Sequence, residues 1–223
     1  MIKVAIFDLW NTLVIPIGPK FSTRLAKVME LDEDYVQDYI RASSSRHKEV
    51  HYLTIVREIW NYLYDTSVPS VISKKVEKEF IDFIANVKFV DNAFHCLEEL
   101  KKNDIKVAIV SNSTSVSIEI VKNLGIDKLV DEVYLSCLTG YLKPDPRAFQ
   151  QVTKKFEVKA NEVCVVGDKI TTDILGAKLA KMKTVLFAPN INYTSKVFPI
   201  DILSVINDLL LVPEVIKREN TNG

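Results

Sequence analysis

Asp8, Lys143, Asp168 and Asp173 are the residues of this 223-residue chain whose types suit covalent or metal-assisted chemistry. Asp8 ends the apolar run that begins at Lys3, and a carboxylate so placed can attack an electrophilic centre and form a covalent ester. Asp168 and Asp173 are hard oxygen ligands able to hold Mg²⁺ with Asp8, directly or through water. Lys143 supplies a cation to offset two anions brought together, the attacking carboxylate and an anionic substrate. Pro144 and Pro146 stiffen the segment that presents it. Ser111 and Asn112 can donate hydrogen bonds to substrate oxygens, and the backbone N–H groups of the following turn can add more. Singly, each has an ordinary explanation as a turn former, a helix cap or a solvated lysine. Their grouping decides otherwise. The clusters Asp8-Leu9-Trp10-Asn11-Thr12, Ser111-Asn112, Lys143-Pro144-Asp145 and Gly167-Asp168 with Asp173 each follow a strand of an alternating α/β pattern. In open α/β sheets ligands bind beyond the carboxyl ends of the strands, so the four clusters are expected in one crevice.

The elements that must position them follow from periodicity. A β-branched run over 3–9 reads as a buried strand. Between 19 and 87 no strand is apparent. There, Tyr52, Ile55, Val56, Ile59, Trp60 and Leu63 recur at helical steps, as do Val76, Phe80, Phe83, Ile84 and Val87. From Asp91 onward helices are expected over 92–102, 115–124, 146–156 and 172–181. Strands are expected over 105–110, 133–135, 163–166 and 184–187, with a last helix over 202–211. Val/Ile-rich strands alternating with helices specify a parallel, doubly wound sheet covered on both faces. The α/β core is therefore assigned to 1–15 and 88–215, an inserted all-helical cap to 16–87, and a frayed polar tail to 216–223.

Composition excludes several classes. Lys and Arg number 29 against 29 Asp and Glu, so the net charge is zero and no broad cationic face for nucleic acid is expected. No apolar run approaches the roughly 20 residues that span a bilayer, and the N-terminal segment is too acidic for a signal peptide. Cys96, Cys137 and Cys164 are odd in number and widely spaced, which implies neither a zinc site nor a disulfide frame. The expectation is a reduced, cytoplasmic protein with a small-molecule partner and no membrane association; its oligomeric state is not legible.

The segments FDLWNTL, IVSNS, GYLKPDPRAF and VVGDKITTDILGAK resemble the haloacid dehalogenase superfamily of hydrolases, in the branch whose helical cap is inserted after the first motif. The resemblance implies a Rossmann-like core, an aspartyl-ester intermediate at Asp8 and Mg²⁺ held by Asp8, Asp168, Asp173 and the backbone carbonyl of Trp10. It further implies that Thr12 orients Asp8 or touches the substrate, and that Trp10 and Asn112 lie against the substrate. The departure lies at Trp10, followed by Asn11 in place of the frequent glycine. Phosphatases of this family carry a second Asp two residues after the nucleophile as general acid and base, and this chain has Trp10. A missing general acid costs about 10²–10⁴ in rate when the leaving group needs a proton.

Three readings follow, in order. The first is a Mg²⁺-dependent phosphohydrolase whose substrate has a good leaving group, or whose acid comes from elsewhere, such as a cap carboxylate. The second is a 2-haloacid dehalogenase, a branch with an aromatic residue at the position of Trp10, whose halide needs no proton. That branch typically lacks the acidic pair kept here, favours tyrosine where Phe149 stands, and uses a cap arginine for which Arg41 and Arg46 are candidates. The third is a catalytically weak protein that binds a phosphorylated ligand. The ordering rests on Asp168 and Asp173, since extra carboxylates beside Asp8 without a cation repel one another.

Overall fold

The computed structural model describes residues 1–43, 51–190 and 202–222. The chain opens with β1 (Val4–Phe7) and β2 (Val14–Pro16). Four helices follow: α1 (Phe21–Met29), α2 (Glu33–Ser43), α3 (Tyr52–Tyr64) and α4 (Ser70–Ala85). Next come β3 (Val87–Phe89), α5 (Ala93–Lys102), β4 (Lys106–Ser111), α6 (Val116–Asn123) and the single turns α7 (Ile126–Leu129) and α8 (Ser136–Thr139) around β5 (Glu132–Leu135). The rest is α9 (Arg147–Phe156), β6 (Val163–Gly167), α10 (Leu175–Leu179), β7 (Lys183–Phe187), β8 (Ser204–Ile206) and α11 (Leu211–Asn222).

Six strands form one parallel sheet in the order β5-β4-β1-β6-β7-β8. The central strand β1 shows why. Val4 and Ile6 enter one core with Ala108, Val110, Val163 and Val165, while Ala5 and Phe7 enter the other with Val107, Ile109, Cys164 and Val166. Alternate side chains of a strand point to opposite faces, so an apolar residue at every position requires cover on both. Phe7 is level with Ile109 of β4 and with Val166 of β6, which brings the ends of the three central strands to one edge.

The helical segment leaves and returns through a short ribbon. β2 pairs antiparallel with β3, Val14 opposite Phe89 and Pro16 opposite Val87. The helical reading through Val87 is thus corrected at its end, where pairing with β2 draws the chain into a strand. Inside the segment, Tyr52 stacks on Phe80 at 3.7 Å between ring centroids, and Phe21 meets Phe83 at 5.4 Å. These rings continue the core that covers one face of the sheet.

Two expectations at the C-terminus fail. Residues 202–211 are not a helix: β8 takes 204–206 and pairs with β7, burying Ile206 at the sheet edge. The helix lies later, over residues assigned to a frayed tail. Val212, Val215 and Ile216 bury one face of α11, and its polar end is held by tertiary contacts. The Asn220 amide donates to the Ile2 carbonyl at 3.1 Å, and Lys183 pairs with Glu219. Tertiary docking here outweighs a polar composition. Among the described residues, no helix is long and apolar enough to cross a membrane.

Candidate active site

Asp8 is the first residue beyond β1 and only 9% exposed; its N–H still donates to Val166 of β6 at 3.0 Å. The chain then folds back at once. Leu13 and Val14 both donate to the Leu9 carbonyl, and Asn11 takes a left-handed backbone at φ 60°, a conformation asparagine tolerates better than most residues. This turn buries Thr12 completely, and the Thr12 hydroxyl donates to Asp168 at 3.5 Å. Thr12, expected to orient Asp8 or to touch the substrate, is thus placed with its hydroxyl on the acid beside Asp8.

Lys143 lies between two carboxylates. Its ammonium is 2.5 Å from Asp8 Oδ1 and 2.6 Å from Asp173 Oδ1, with the side chain 3% exposed. Burial alone would lower the Lys143 pKa, but the charges and hydrogen bonds of Asp8 and Asp173 more than offset it and hold the group above the ordinary lysine value. The backbone is clamped from β4. The Lys143 N–H donates to Asn112 Oδ1 at 2.7 Å, and the Asn112 amide donates back to the Lys143 carbonyl at 2.9 Å. Asn112, expected against the substrate, has its carbonyl and one N–H turned to Lys143, although it also lines the cleft. Ser111, at the end of β4, is 2% exposed, and its hydroxyl has no hydrogen-bond partner among the described residues.

One glycine lets the acidic side close. A side chain at Gly167 would come within 2.5 Å of Asp173 Oδ2, so the bare backbone at the end of β6 leaves room for that carboxylate. A wide helical turn, Ile170–Ile174, delivers Asp173 into the gap, and the Lys169 N–H donates to its Oδ2 at 3.0 Å. The carboxylates of Asp8, Asp168 and Asp173 each offer an oxygen within 4.8 Å of the others. Burial, only partly countered by Lys143, raises the Asp8 pKa to about 7. Burial and the charge of Asp173 raise that of Asp168 as well. Three hard oxygen donors crowded around one ammonium fit a divalent cation of the Mg²⁺ kind, whose charge would offset both their burial and their mutual repulsion.

Trp10 is not aimed as a proton donor. Its indole N–H donates to Ser117 of α6 at 2.9 Å, and its ring lies 6.0 Å from Phe83 of α4. It thereby spans the sheet domain and the helical segment, beside a cavity of about 610 Å³ lined also by Phe21, Arg41, Asn112 and Lys143. Ser117 and Phe83 went unnoticed as site neighbours, because nothing in sequence links positions so far apart to Trp10. Phe149 is wholly buried in the second core and stands apart from the cleft. Arg41 lines the cleft and also pairs with Asp38 at 3.1 Å. Arg46 lies outside the described residues.

Known proteins agree with this arrangement. A sequence profile of the haloacid dehalogenase-like hydrolases matches residues 2–181. The chain is 29% identical over 209 residues to glyceraldehyde 3-phosphate phosphatase of Pyrococcus abyssi, covering 84% of this chain and 82% of that one. It is 32% identical over 109 residues to ribulose-1,5-bisphosphate 5-phosphatase of Halopiger xanaduensis, covering 48% and 46%. Among solved structures it is similar in fold to a 2-haloacid dehalogenase from Pseudomonas syringae, with a TM-score of 0.71 at 21% identity over 98% of this chain and 100% of the other. With its profile matched across most of its length and its strand-end carboxylates gathered in one cleft, the chain belongs to the haloacid dehalogenase-like hydrolases.

Proposed function

We propose that this hydrolase is a Mg²⁺-dependent phosphohydrolase that cleaves a small anionic phosphate ester through an aspartyl-phosphate at Asp8, with 16–87 acting as a helical cap over the cleft. The observation that carries the reading is the imbalance of charge: Asp8, Asp168 and Asp173 converge, and Lys143 pairs with Asp8 and Asp173 alone among them. Without a metal, the excess of negative charge around Lys143 would have no cation to offset it, which favours the metal-dependent reading. The phosphatase names of the sequence relatives add support.

In the proposed reaction an Asp8 carboxylate oxygen attacks phosphorus, and the bond from phosphorus to the leaving oxygen breaks. Water then attacks the acyl phosphate and releases inorganic phosphate, regenerating Asp8. Lys143 neutralises Asp8 and the incoming phosphoryl group, and the free Ser111 hydroxyl suits a phosphoryl oxygen. Mg²⁺, when held by Asp8, Asp168, Asp173 and the Trp10 carbonyl, would supply charge neutralisation. With Trp10 bonded to Ser117, no side chain at that position protonates the leaving oxygen, so aryl and acyl phosphates, which leave as anions, are the favoured esters.

The aromatic residue at position 10 favours the dehalogenase as the second reading. One assay tests both. Phosphate release from aryl, acyl and alkyl esters and chloride release from 2-chloropropionate are followed with Mg²⁺ and with chelator. Phosphate release that stops with chelator and is faster for aryl and acyl esters is expected. Metal-independent chloride release would overturn the reading.

A further inference from the structure

The cavity beside Asp8 is one-signed. Among the described residues, the ionisable side chains that line it are Lys20, Arg41, Lys143 and Lys169, all cations, in a protein of zero net charge. Two of the four are committed: Lys143 to Asp8 and Asp173, Arg41 to Asp38. Lys20 and Lys169 have no carboxylate partner among the described residues. They also approach from different parts of the fold. Lys20 precedes α1 in the helical segment, and Lys169 follows the acid Asp168 beyond β6.

The start of α1 adds to the same field. Lys20, Phe21 and Ser22 all line the cavity, and this nine-residue helix carries no side-chain cap. Its first N–H groups and the positive end of its dipole therefore face a site free to accept an anion. Ser22 is only 8% exposed, yet its hydroxyl has no hydrogen-bond partner among the described residues. That hydroxyl borders the cavity and is available to donate to an anion entering it.

We infer that the cavity contains a second anion subsite, formed by Lys20, Ser22 and Lys169, and that the preferred substrates are small phosphate esters bearing a further negative group. The inference rests on the phosphohydrolase reading: one anion is the phosphoryl group at Asp8 and Lys143, the other a carboxylate or second phosphate carried by the same molecule. The subsite acts on binding and changes no bond.

A matched pair of aryl esters tests it. Phenyl phosphate and 3-carboxyphenyl phosphate both release a phenolate, which suits a site without a general acid at position 10, and differ in a hydrogen against a carboxylate. The carboxylate ester is expected to have a KM about five- to tenfold lower, an advantage that shrinks as salt is raised. Lys20→Gln and Lys169→Gln are each expected to raise KM for 3-carboxyphenyl phosphate several times more than for phenyl phosphate, with kcat for the two esters moving in parallel. Equal KM values for the pair, or equal shifts in both variants, would overturn the subsite and leave the phosphohydrolase intact. Failure to hydrolyse both aryl esters would instead strike the phosphohydrolase itself and the subsite with it.

Discussion

Lys143 is the residue through which the proposed chemistry is most exposed to test. Its ammonium touches two carboxylates, and its backbone is held on both sides by one side-chain amide from the neighbouring strand. Lys143→Ala is expected to lower kcat/KM by about 10²–10³, the scale of losing one preorganised charged group at a reacting centre. Asn112→Ala should cost less, because the lysine remains but is no longer clamped. If Asn112 works through Lys143, the double variant will be no worse than Lys143→Ala alone, whereas losses that multiply would return Asn112 to a separate contact with substrate. Kinetics of the wild type and three variants decide this. The identities of Asp8, Lys143, Asp168 and Asp173 were readable because each stands just beyond a strand or the connection that follows one. The clamp was not, since a pairing across 31 residues leaves no local mark.

Among the elements, α10 is the one whose position depends on a single missing side chain. Gly176 lies so close to the segment after Lys143 that a Cβ there would come within 2.5 Å of Phe149 Cε2 and 2.9 Å of Pro144 Cα. Gly176→Ala must therefore push α10 away from the Pro144 segment or displace a fully buried ring. Overpacking of this kind costs about 1–3 kcal/mol. At this chain length that is several degrees of Tm, read by thermal denaturation, and an unchanged Tm would mean that the segment yields freely. The alternating strands and helices between 91 and 187 were legible because the strands are short apolar runs and the helices keep a period of 3.6. The same logic failed from residue 202 onward. Ser204–Ile206 is too short for its period to show, and α11 carries its apolar face on Val212, Val215 and Ile216 ahead of a polar end. Docking of Asn220 to Ile2 and of Glu219 to Lys183 orders what composition alone would leave frayed.

For the molecule as a whole, the distribution of charge matters more than its sum. Equal numbers of acids and bases are sorted so that three carboxylates meet around Lys143, while the charged side chains bordering the adjoining cavity are basic. The helical segment joins the sheet domain through the β2–β3 ribbon and, above it, through Trp10 set between Ser117 and Phe83. A tryptophan in that place spends its polar atom on structure, so the proposed chemistry depends on Asp8 as nucleophile and on the charges around it. The most direct measurement is a covalent trap. The enzyme is mixed with Mg²⁺ and an aryl phosphate, quenched in acid during turnover, reduced with borohydride and mapped by peptide mass spectrometry. Reduction converts an aspartyl-phosphate to homoserine, and the expected result is homoserine at position 8, absent without Mg²⁺ and absent in Asp8→Asn. Steady release of phosphate with position 8 unmodified, or with the label on another residue, would contradict the account.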